Sequence, residues 1–115
     1  MNVKQFYLDT GSNYQAALSI MMVDSLIERM INKFMSENVY NDIIDAYNRK
    51  DIKRVFELSH SFKGVTGNLA LTGLFEISSV VTEATRNKTE ANIDNEIQQL
   101  KKTYTAIQEA FNKLQ

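Results

Sequence analysis

The only histidine of this 115-residue chain, His60, is followed by Lys63, Gly64 and Gly67 in the stretch "LSHSFKGVTGNLAL". A neutral imidazole is a nucleophile, and an unperturbed pKa near about 6.5 leaves a good fraction of it neutral at pH 7. On a helix, a lysine three residues on lies one turn away, about 60° round the axis. Lys63 can therefore place a cation beside whatever His60 carries. Gly64 and Gly67 fall one and two turns after His60, both within about 40° of it. Each costs roughly 1 kcal/mol relative to alanine inside a helix. Two reasons offset such a cost: a neighbouring helix packs closely there, or a large partner must reach the imidazole.

The helix that positions these residues is read over Ile52 to about Leu69, with Asp51 as its N-cap. Val55, Leu58, Phe62, Val65 and Leu69 recur at alternating spacings of three and four, which predicts a buried stripe. His60 falls roughly 180° from the centre of that stripe and faces away from the core of its own bundle. Phe56, one turn before His60, and Lys53, two turns before, share the outward side. A large apolar residue there reads either as docking surface or as a residue covered by a preceding short helix.

The rest of the chain specifies helices. Proline is absent and glycine scarce, whereas barrels and sandwiches need frequent turn residues. The expected fold is all-α, one domain over 1–115: an up-and-down antiparallel four-helix bundle with short extra N-terminal helices. The short helices are read over Asn2 to Ser12 and Asn13 to Met22. Asp24 is expected to cap "SLIERMINKFMSE", where Ile27, Met30, Ile31 and Phe34 share a face. "VYNDIIDAYNRK" follows, with Tyr40, Ile43, Ile44 and Tyr47 at helical spacing. Thr72 and Gly73 mark the junction before a helix carrying Leu74, Ile77, Val81 and Ala84. The last helix carries Ile93, Ile97, Leu100, Tyr104, Ile107, Phe111 and Leu114, the seam of an antiparallel bundle.

Composition narrows the function. Without cysteine there are no disulfides or thiolate metal sites, and one histidine makes a self-contained zinc site improbable, so no metal or cofactor is expected. A net charge of −1 gives no footprint for nucleic acid. The longest nearly apolar run, "AALSIMMV", is too short to span a bilayer, and "MNVKQFYLDT" has no signal-peptide pattern. These features suit a cytoplasmic monomer. No clustered nucleophile, base and oxyanion donors suggest a hydrolase, and no Walker loop or kinase signature appears.

"HSFKGVTGN" resembles the H-x-x-K-G-x-x-G signature of histidine phosphotransfer (HPt) domains. The resemblance extends through the preceding helix, the "NLALTGL" junction and the "VVTEATR" helix, so it spans most of the chain. It implies that His60 is a phosphoacceptor, that Lys63 stabilises the phosphoryl group, and that Gly64 and Gly67 keep the approach clear. Lys53, Phe56 and Glu57 are the expected docking residues. The implied partners are response-regulator receiver domains, with Mg²⁺ expected on the receiver, and a sensor histidine kinase. The protein would be a phosphorelay carrier without turnover of its own. Many members of the family have glycine where Ala70 stands, a departure expected to touch the helix end and not the acceptor. Two alternatives stay open. One is a non-catalytic module that docks receivers or kinases, disfavoured by the presence of both His60 and Lys63. The other is a phosphotransfer domain excised from a larger hybrid or chemotaxis-type kinase, although Met1 to Gln115 contains no kinase.

Overall fold

The computed structural model of the protein describes residues 2–113. These residues form helices α1 (Val3–Asp9), α2 (Tyr14–Met21), α3 (Asp24–Ser36), α4 (Val39–Asn48), α5 (Ile52–Asn68), α6 (Thr72–Thr85) and α7 (Asp94–Lys113). The short N-terminal helices end where φ turns positive, at Gly11 (64°) and Met22 (72°). Asn2 and Asn13 cap them, each accepting a bond from a backbone N–H three residues on. Asp51 caps α5 in the same way, accepting from the Arg54 N–H at 3.1 Å.

Asp24 does not cap α3. Val23 holds the N-cap position without a side-chain bond, and Asp24 already lies in the first turn. Its carboxylate instead accepts from the Tyr14 hydroxyl at 2.5 Å, which ties α2 to α3. An acid in a first turn also meets the positive end of the helix dipole.

The bundle is all-helical, and its first arm is broken. α3 ends at Glu37, whose backbone is extended (φ −84°, ψ 158°), and α4 resumes at Val39. Each piece reaches the longer helices through an aromatic contact. Phe34 of α3 stacks on Phe62 of α5 (5.4 Å between ring centroids), and Tyr40 of α4 stacks on Tyr104 of α7 (3.8 Å). The α5–α6 register descends as it must for antiparallel neighbours: Gly67 meets Phe75, Ser59 meets Thr82, and Phe56 meets Arg86. The turn between these helices is short, which enforces that arrangement.

The core holds Ile27, Ile31, Ile43, Val55, Leu74, Val81, Ile97 and Leu100, all fully buried. Burying an aliphatic side chain of this size contributes roughly 1.5–3 kcal/mol. Ile93 and Ala110 join them, and Ala84 and Phe111 pack half-buried against them. Leu114, read as the end of the seam on α7, lies outside the described residues.

One part of the expected α5 stripe is wrong. Val65 is 39 % exposed, whereas Ser59 and Thr66 are buried at 1 % and 0 %. α5 packs against α6 through small polar residues, which turns its buried face toward that neighbour and leaves Val65 at the edge. The Thr82 hydroxyl donates to that of Ser59 at 3.1 Å, and Thr66 donates to the Lys63 carbonyl, so these hydroxyls are satisfied in the interface. Small side chains let the two helices approach closely, which brings α6 alongside the His60 face.

The end of α5 is secured twice. Leu71 N–H donates to the Thr66 carbonyl and Ala70 N–H to the Gly67 carbonyl, the paired bonds of a Schellman cap. Ala70 occupies its left-handed position at φ 54°. The buried Tyr7 hydroxyl donates to the Leu69 carbonyl at 2.6 Å, and Asn13 N–H donates to the Ala70 carbonyl at 3.0 Å. Burial also pushes the Tyr7 phenol pKa up, so it remains a donor at any ordinary pH.

Candidate functional site

His60 lies in the middle of α5 and is exposed; Lys63, one turn on, is half-buried. Both side chains belong to one rigid helix fixed at each end, by Asp51 and by the Tyr7-secured cap.

The two glycines differ. A side chain begun at Gly64 would have no atom of a neighbouring element within 4 Å. The surface beside His60 is open at that point. A side chain begun at Gly67 would meet the Phe75 ring at 3.0 and 3.1 Å. Gly67, expected to clear the way for a partner, thus also makes room for Phe75 of α6. Phe75 is itself 37 % exposed, so the ring forms part of the surface next to the site.

Phe56 lies on the other side of His60, its ring centroid 5.6 Å from that of the imidazole. It is half-buried. The Arg86 guanidinium, from the C-cap of α6, sits 5.1 Å from the centre of the Phe56 ring, a cation–π contact. Arg86 donates two hydrogen bonds to the Glu83 carboxylate, at 2.9 and 3.2 Å. Those bonds hold the Glu83 carboxyl below the usual carboxylate range, and the positive charge of Lys63 and of His60 adds to the effect. Glu83 thus shares an electrostatic neighbourhood with both site residues.

Lys53 and Glu57 are exposed on the same helix, with Glu57 3.7 Å from Arg54. Along the other flank of α5 runs an apolar groove of about 460 Å³, lined by Ile20, Leu26, Met30, Val65 and Leu69 among others. A larger concavity of about 690 Å³ lies at the opposite end, around Tyr47, Lys50, Glu90 and Asp94. Neither includes His60. The imidazole is presented on a surface, which suits a reaction with another macromolecule better than capture of a small substrate.

Glu83 and Arg86 escape a reading of the sequence, because they reach His60 only through the α5–α6 register. The available sign was an acid and a base three apart in "TEATR", a common pattern on solvated helix faces.

The site is thus an exposed histidine with a cation one turn away, on the face of an antiparallel helical bundle. A family model for the Hpt domain matches residues 22–110, and the chain belongs to that family. Hpt domains carry phosphoryl groups by histidine phosphotransfer in two-component phosphorelays, dealing with receiver domains and kinases, and act as carriers rather than catalysts. The match begins just after α2, so α1 and α2 precede it. No curated protein and no solved structure gave a significant match.

Proposed function

We propose that this protein is an intermediate phosphorelay carrier that accepts a phosphoryl group on His60 from one receiver-domain aspartate and passes it to another. The observation that carries this reading is the exposed His60 with Lys63 one turn away on a face left open at Gly64. A neutral imidazole nitrogen attacks the phosphorus of the aspartyl phosphate, the N–P bond forms, and the aspartate carboxylate leaves. The transition state is loose, with charge on its equatorial oxygens. Lys63 stabilises part of that charge from this chain, and the receiver with its Mg²⁺ supplies the rest. The step reverses with the same groups, so direction is set by which partner is phosphorylated.

The exposed Lys53, Glu57 and the Phe56 edge are assigned to docking on the strength of their position around His60. The carrier is read as a cytoplasmic monomer; among the described residues no helix is long and apolar enough to cross a membrane. Mixing the protein with phosphorylated receiver domains and timing the label tests the function. Label should leave a cognate receiver, appear on this chain, and move on to a second receiver. Absence of transfer from every receiver of the same organism would overturn the carrier reading in favour of a non-catalytic docking module.

A further inference from the structure

The Glu83–Arg86 pair lies near the acceptor, with Arg86 over the Phe56 ring that neighbours the imidazole. It is an exposed i,i+3 pair, with side-chain exposures of 60 % and 42 %. Pairs of this kind stabilise a fold little and are readily exchanged for a better partner. Yet this one fixes a guanidinium on the ring of Phe56, and that ring neighbours the imidazole. Arginine is long and flexible, and one change of rotamer moves its head by several ångströms. Its planar fork matches a phosphoryl group, whose dianionic oxygens accept more strongly than a carboxylate carrying a single charge.

We propose that Glu83 is a positioning residue that holds Arg86 on Phe56 while His60 is free, and that a phosphoryl group on His60 draws Arg86 away from it. The inference rests on the carrier reading above. In the unloaded protein, Glu83 neutralises Arg86 and keeps the cation close to the imidazole without blocking it. In the loaded protein, Arg86 joins Lys63 at the phosphoryl oxygens, and Glu83 is left as a like charge beside them. Glu83 therefore limits how firmly the phosphoryl group is retained, which suits a group that must be passed on.

The test uses the whole protein, loaded with phosphoramidate as a small-molecule donor, with ammonia as the leaving group. Decay of phosphohistidine is followed by ³¹P NMR in wild type, Glu83→Gln, Arg86→Gln and the double variant. Glu83→Gln should lengthen the phosphohistidine lifetime about two- to fivefold, the range of an exposed charge interaction. Arg86→Gln should shorten it. In the double variant the Glu83→Gln gain should shrink, because Glu83 acts largely through Arg86. An unchanged lifetime in Glu83→Gln overturns the proposal, and so does a gain equally large without Arg86. If His60 takes no phosphoryl group from phosphoramidate or from any phosphorylated receiver, the carrier reading itself fails. Normal loading with an unmoved lifetime removes only the role of Glu83.

Discussion

The ring of Phe75 stands 3.0 Å from the point where a Gly67 side chain would begin, while Gly64, three residues earlier on α5, has no such neighbour. Two glycines of one helix face thus answer to different constraints. Gly64→Ala should gain helix propensity, raising stability by up to about 1 kcal/mol. In Gly67→Ala the same gain is opposed by the displacement of Phe75, and the net stability should fall below that of Gly64→Ala by about 1 kcal/mol. Adding Phe75→Ala should narrow the gap. Thermal unfolding of the three variants measures it. Equal melting temperatures for the two glycine variants would show that Phe75 yields freely. Gly64→Gln should keep its stability and transfer phosphate more slowly, since its side chain lies on the approach to His60.

Ala70 sits at φ 54°, in the left-handed region where an L side chain costs roughly 1–2 kcal/mol. Glycine carries no such penalty but loses more freedom on folding. Ala70→Gly should therefore stabilise the fold modestly, by about 0.5–1 kcal/mol. Urea unfolding with an unchanged m-value checks this. A destabilised variant would mean that the methyl group of Ala70 contributes more to packing than the backbone conformation costs.

Tyr7 and Leu69 join the N-terminal helix to the end of the histidine-bearing one. Tyr7→Phe keeps the buried ring and removes the donor to the Leu69 carbonyl. The expected loss is about 1–2 kcal/mol in thermal or urea unfolding. The phosphotransfer rate per folded molecule should hold, because His60 lies more than two turns from that bond. A silent Tyr7→Phe would show that the carbonyl is satisfied without the phenol.

Lys63→Ala removes a cation one turn from the acceptor. Transfer should slow, or phosphohistidine should decay faster, by the equivalent of about 1–2 kcal/mol for a charge-assisted hydrogen bond. Lys63→Arg should be milder but not silent, since the guanidinium is larger and planar. A wild-type rate in Lys63→Ala, measured by single-turnover transfer from a phosphorylated receiver, would reduce Lys63 to a solvated surface lysine.

Much of the architecture was legible from periodicity. The helix bearing His60 begins at its Asp51 cap, and the alternation of Ile97, Leu100, Tyr104 and Ile107 marks the buried side of α7. Periodicity failed where burial does not follow apolarity. Val65 was placed inside because it is apolar, but Ser59 and Thr66 lie inside because they are small and α6 packs tightly against them. Asp24 looked like a cap because acids favour that position, yet Tyr14 takes its carboxylate from across a turn. The site divides in the same way. His60, Lys63 and Gly64 share one helix, so spacing alone sets their relation. Phe75 and Glu83 stand on another helix and Arg86 caps its end, and only the packed register brings them near the acceptor.

The central claim is that His60 alone accepts the phosphoryl group. Its most direct test is to incubate wild type and His60→Gln with a phosphorylated cognate receiver and assay the label retained on the chain, with circular dichroism as a check on helical content. Wild type should carry an acid-labile, base-stable label, and His60→Gln should carry none while remaining fully helical. Label that persists on a folded His60→Gln protein would contradict the account, because the chain has no other histidine to hold it.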